Sequence, residues 1–141
     1  MESWKGVATH QYGLIARTQL RCSGLTGEAI RWQVRVGALE EELPGVFRLS
    51  GTPQAWEQRM MAACLWGGPH ACASHKSAAA LWQLDGFRPG PVEFSSPKQN
   101  RARLPFKVHR TQVEPAFMTR KLGIPVTNAF PHGAGSRRRC R

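Results

Sequence analysis

The 141-residue sequence predicts an α+β fold, and three observations carry that prediction. Helical apolar spacing runs through residues 1–38, and the Pro44-Gly45 dipeptide then separates two strand-like runs. After Gly51, helical and strand-like segments follow one another as far as residue 128. From Ala129 the apolar period stops in a Gly/Pro/Arg-rich stretch. The expected organisation is a first unit over residues 1–50, a small α/β domain over 51–128, and a disordered basic tail over 129–141.

Within residues 1–11, Trp4, Val7 and Ala8 share one helical face, and Gly13 ends the segment. Leu14 and Ile15 lead into a second short helix over residues 17–22, stopped by Ser23-Gly24. Thr26 stands as the N-cap of a third helix reaching Ala38. Leu25, Ala29, Ile30, Val34 and Leu39 form its apolar face, leaving Arg31, Trp32 and Arg35 on the others. Residues 40–43 and 46–50 then make a hairpin around Pro44-Gly45. Helix, helix, turn, helix and hairpin is the order of a winged helix-turn-helix. In that fold three helices bury a small core, the third presents a face sized for the major groove, and the hairpin touches flanking phosphates. The same order suits a small bundle with a hairpin and no DNA contact, so the pattern alone leaves both open.

In the second unit, Thr52-Pro53 resembles an N-cap with proline in the first turn, opening a helix to Trp66. Its stripe of Trp56, Met60, Ala63 and Cys64 reads as core. A short strand over 71–73 follows the Gly67-Gly68-Pro69 stop, and Ser74 caps an alanine-rich helix to Leu84. Residues 92–94, 107–109 and 122–126 are strand-like, and residues 97–103 read as a solvated basic loop.

Charge is concentrated. Residues 101–141 hold ten Lys/Arg against one Asp/Glu, whereas residues 1–50 and 51–100 each carry a net of only +1. A basic chain favours polyanions, nucleic acid first among them. No apolar run is long enough for a membrane-spanning helix, and the start shows no signal-peptide pattern, so the expected address is the cytoplasm. The four cysteines (Cys22, Cys64, Cys72 and Cys140) form no CxxC pair. His70, Cys72 and His75 lie close in sequence but lack a fourth ligand, so neither metal nor cofactor is expected. His75 and Lys76 stand beside Ser74 and Ser77 without a nucleophile elbow, and Asp85, Glu93 and Glu114 lack the pairing a nuclease needs. The chain therefore reads as a non-enzyme, with His75 in a structural role at a helix start.

Five segments in register add a resemblance. They are Gly24-Leu25-Thr26, Pro44-Gly45-Val46-Phe47, the run from Ser74 to Leu84 (SHKSAAALWQL), Lys107-Val108-His109-Arg110, and Gly123-Ile124-Pro125-Val126-Thr127. In order and spacing they resemble the AbiEi-type antitoxins of type IV toxin–antitoxin systems, across roughly residues 5–128. The resemblance implies a winged helix-turn-helix that binds operator DNA and represses its own operon. It also implies a nucleotidyltransferase-like toxin as functional partner, without a stable complex. Three departures stand out: Gly27 and Glu28 where basic residues are usual, Glu40-Glu41-Glu42 on the wing, and divergence after Asn128. The last suggests a truncation or frame shift. The competing readings are an antitoxin module acting through protein contact, and a fragment of a longer nuclease-fused protein.

With that resemblance, Arg31 and Arg35, four apart on one helical face, become the candidate base and phosphate contacts. Trp32 is placed beside the wing or a sugar, while Thr26 and the neighbouring Gly27 N–H offer a phosphate seat. Arg17, Thr18 and Arg21 on the second helix, and Arg48 on the second wing strand, complete the candidates.

Overall fold

Ser3 opens the first helix by accepting the Gly6 N–H, and α1 (Trp4–Thr9) runs six residues. The computed structural model describes residues 3–98 and 104–128, so the expected tail over 129–141 and most of the basic loop lie outside the described residues. After α1, Leu14–Ala16 form a buried strand, β1, rather than a lead-in to the next helix. Three consecutive apolar residues carry no period that distinguishes strand from helix. α2 (Arg17–Cys22) follows, its start held by Gln19 Oε1, which accepts the Ala16 N–H at 2.9 Å. Thr26 caps α3 (Gly27–Arg35) as expected, its hydroxyl accepting the Ala29 N–H at 3.1 Å. β2 (Leu39–Leu43) and β3 (Val46–Leu49) form the hairpin, with Gly45 at φ +79° in the turn where a side chain would be strained.

These three strands form an antiparallel sheet in the order β1-β3-β2. Ala8, Ile15, Leu20, Ile30, Leu39 and Phe47 make its small core. Ile30 is the one residue of α3 that is fully buried, whereas Val34 is exposed. The apolar face of α3 is therefore narrower than the sequence suggests.

The next helix, α4 (Trp56–Gly67), starts three residues later than Thr52-Pro53 predicts. The Thr52 side chain is packed against Gly13, where a β-carbon would come within 2.5 Å of it, and caps nothing. α4 is buried on nearly every side because it lies between two sheets. Leu14, Leu43 and Val46 of the first sheet join Met60, Met61, Ala63, Ile124 and Val126 in one core. Gln58 Nε2 donates to the Tyr12 carbonyl at 2.8 Å, tying α4 to the N-terminal segment. Cys64 is buried in this core, which pushes its thiol pKa up and makes it a poor nucleophile.

The second sheet comprises β4 (Cys72–Ala73), β5 (Glu93–Ser96), β6 (Lys107–Arg110), β7 (Met118–Lys121) and β8 (Ile124–Thr127), in the order β6-β5-β4-β8-β7. β5 pairs parallel with β6 and antiparallel with β4, while β4 pairs parallel with β8. The edge strand β7 had no sequence signal: Met-Thr-Arg-Lys lacks apolar alternation, and its middle two residues are exposed. Between β4 and β5 lies α5 (His75–Leu81), three residues shorter than predicted. Trp82 Nε1, just beyond it, donates to the Thr127 carbonyl at 2.8 Å. Lys98, exposed at the start of the basic segment, holds its ammonium 4.2 Å over the Trp66 ring and donates to the Trp66 carbonyl. Among the described residues, no helix is long and apolar enough to cross a membrane.

Candidate nucleic-acid interface

Ile30 points α3 inward, and the 3.6-residue period then fixes what faces out. Glu28, Trp32 and Arg35 fall on the opposite side and Arg31 on its flank, and all four are exposed. Trp32 is 53% exposed, a costly place for an indole that none of the described residues covers. Gly27 brings two elements together. A β-carbon on it would stand 3.7 Å from Arg31 Nη1 and 4.0 Å from Arg21 Nη1, so guanidinium groups from α2 and α3 converge there. Among the described residues no acid pairs with Arg21, Arg31 or Arg35. Two like charges held together without a counter-ion make a local seat for an anion.

Arg17 and Thr18 are also exposed on α2. The Arg17 guanidinium lies 5.1 Å over the Phe47 ring, which steadies it at the junction of helix and hairpin. Thr26 keeps its cap, leaving the first N–H groups of α3 unbonded within the helix, Gly27 among them. α3 is nine residues long, and its acidic first-turn residue, Glu28, suits the helix dipole while opposing a phosphate.

Arg48 does something else. It is half-buried and its Nε donates to Glu42 at 2.9 Å, its Nη2 to Glu40, and its Nη1 to the Thr52 carbonyl at 3.0 Å. With three of its donor groups so engaged, Arg48 stands as an internal brace of the hairpin. The same brace neutralises part of the acidic strand. Glu41 is also occupied, accepting the Gly45 N–H at 3.1 Å across the turn.

A second cluster was missed by sequence reasoning. His75, Glu93 and His109 come from α5, β5 and β6, and one ligand atom from each lies within 4.8 Å of the others. His109 Nε2 is 2.6 Å from Glu93 Oε2, and the His75 and His109 rings stack with centroids 3.7 Å apart. The residues are 18 and 16 positions apart, so no local spacing announces them. His75 has a positive φ of 56°, an uncommon conformation for a non-glycine residue. By contrast His70 is exposed and Cys72 buried, and His70, Cys72 and His75 do not form a ligand group among the described residues.

Burial, and then the neighbouring His109, hold the His75 imidazole below its ordinary pKa, against the pull of Glu93. Burial pushes the Glu93 carboxyl up, but the His109 hydrogen bond, the Lys76 N–H and the nearby imidazole charges outweigh it, and the net displacement is downward. Both shifts make the folded state bind protons less readily than the unfolded chain, so acid favours unfolding. Stability is expected to fall as pH drops through 6.5, where an unfolded His75 titrates. A second fall is expected below 4.5, from Glu93. Thermal unfolding against pH, in buffer without divalent ions, checks this: His75→Gln should remove the upper step and keep the lower one.

No family model matches this chain, and no curated protein matches it, so the reading of the interface rests on its own residues.

Proposed function

We propose that the N-terminal helices and hairpin are a winged helix-turn-helix that binds double-stranded DNA with α3 in the major groove. On this reading the chain is a transcriptional regulator of the antitoxin type, repressing its own operon. Its functional partner is a nucleotidyltransferase-like toxin, met without a stable complex. One observation carries the DNA reading: the unpaired Arg21 and Arg31 guanidinium groups converge over Gly27 at the start of an exposed helix. An arginine so placed can take a guanine edge through O6 and N7, while its neighbour on α2 holds a phosphate. Arg35 and the first N–H groups of α3 add backbone contacts, and Trp32 gives the same face an apolar surface for a sugar or a thymine methyl. The hairpin contributes position rather than charge, because Arg48 is spent on Glu40 and Glu42. The antitoxin assignment is supported by the five segments from Gly24 to Thr127.

The exposed carboxylates of Glu40 and Glu41 favour a second reading, a module that opposes its toxin by protein contact. Methylation interference on DNA from upstream of the gene separates the two. Methylating guanine N7 in the major groove should abolish binding at one or two guanines of a discrete site. Binding indifferent to every methylated guanine, or none at all, removes the major-groove reading and leaves the protein-contact module.

A further inference from the structure

We propose that His75, Glu93 and His109 form a binding site for a transition-metal ion, with zinc the best match. The ligand set is two imidazoles and a carboxylate, a combination that binds zinc at three positions and leaves the fourth for water or an anionic oxygen. Three features make it a prepared site. First, the ligands are fixed by the fold. In the parallel β5–β6 register Ser95 stands opposite His109 and Glu93 opposite Lys107, so Glu93 and His109 project from one face of the sheet. Secondly, two of the three ligands, His75 and Glu93, are held by outer partners. Ser95 donates to Ser74 at 2.8 Å, and Ser74 Oγ lies 3.0 Å from His75 Nδ1. Glu93 Oε1 accepts the Lys76 N–H at 3.3 Å, which leaves Oε2 turned to His109. Such outer contacts orient metal ligands and raise their affinity. Thirdly, Glu93 is buried, with only 8% of its surface exposed, and the His75 ring, carried on left-handed backbone, stacks on the His109 ring beside it. Coordination requires each stacked ring to rotate about its own side-chain bonds so that one nitrogen faces the ion.

The neighbouring cleft, about 250 Å³, is lined by Lys76, Arg88 and Lys107 together with Glu93. Those cations favour an anionic oxygen as the ion's fourth ligand. None of the three ligands comes from α3, so the proposal does not rest on the DNA reading.

The test uses the full chain, stripped with chelator and titrated with cobalt(II), then with zinc. The expected result is one cobalt bound per chain, giving the visible bands of a four- or five-coordinate ion without the near-ultraviolet thiolate band. Zinc should displace it and raise the thermal midpoint. His109→Ala and Glu93→Gln should abolish binding, and Ser74→Ala should weaken it roughly 10–100-fold through the lost outer contact. Where a variant fails to fold, the wild-type cobalt spectrum decides the question by its ligand signature. A thiolate band, pointing to one of the four cysteines, overturns the proposal. So does binding unchanged in folded variants, or the absence of stoichiometric binding.

Discussion

Arg31→Ala should weaken binding to the operator by roughly 1–3 kcal/mol, a loss of about 5–150-fold, with the loss confined to DNA that carries the recognised guanine. The reason is local. Arg31 is exposed on α3, its guanidinium beside Gly27, and among the described residues no acid pairs with it. Truncating it leaves the core untouched, so thermal stability should stay within about 0.5 kcal/mol of wild type. Arg35→Ala makes the control. As a phosphate contact it should lower affinity for all duplexes alike and reduce the salt slope by about one. Titrations of both variants against matched and mismatched duplexes check the pair of outcomes. Equal losses on both duplexes for Arg31→Ala would mean that it holds the backbone and reads no base.

Phe94→Ala should cost about 3–5 kcal/mol of folding stability. Phe94 is fully buried on β5, the strand next to the β6 edge of the five-stranded sheet, edge-on to Trp66 at 6.1 Å and to Phe106 at 6.2 Å. Its loss opens a void between α4 and β5 that neither aromatic neighbour can fill without leaving its own packing. A domain of this size is stable by only about 5–15 kcal/mol, so the variant should be largely unfolded at modest urea concentration. Because α4 also packs on Leu14, Leu43 and Val46, the N-terminal sheet should unfold in the same transition. Urea denaturation followed by tryptophan fluorescence and by far-ultraviolet circular dichroism tests both statements. Two separated transitions would show that the sheets fold independently.

Much of the first unit was legible because its signals are local. Thr26 before an apolar period, Ser23-Gly24 after α2, and Pro44-Gly45 between strand-like runs each act within a few residues. What escaped was set by partners distant in sequence. β1 is a strand because Ile15 meets Phe47 across the sheet, and β7 because it pairs with Ile124 to Thr127. Arg48 shows how a small irregularity redirects a side chain. A two-residue turn with regular pairing would set it opposite Glu41, but the bulge between Glu41 and Leu43 shifts it to Glu40. From there it braces Glu40 and Glu42. The convergence of Arg21 and Arg31 depends on how α2 crosses α3, and the His75–Glu93–His109 cluster on the parallel pairing of β5 and β6. Neither has a spacing that a linear reading can find.

The most direct measurement is fluorescence anisotropy of the full chain with duplex DNA from upstream of its gene, beside a scrambled duplex of the same composition. Each is titrated at about 50 and 200 mM salt, a range over which purely electrostatic binding falls steeply. A sequence-reading α3 predicts preference for the upstream duplex that persists at the higher salt and disappears in Arg31→Ala. Equal affinity for both duplexes, erased by salt, would contradict it and reduce the basic residues to a nonspecific polyanion surface.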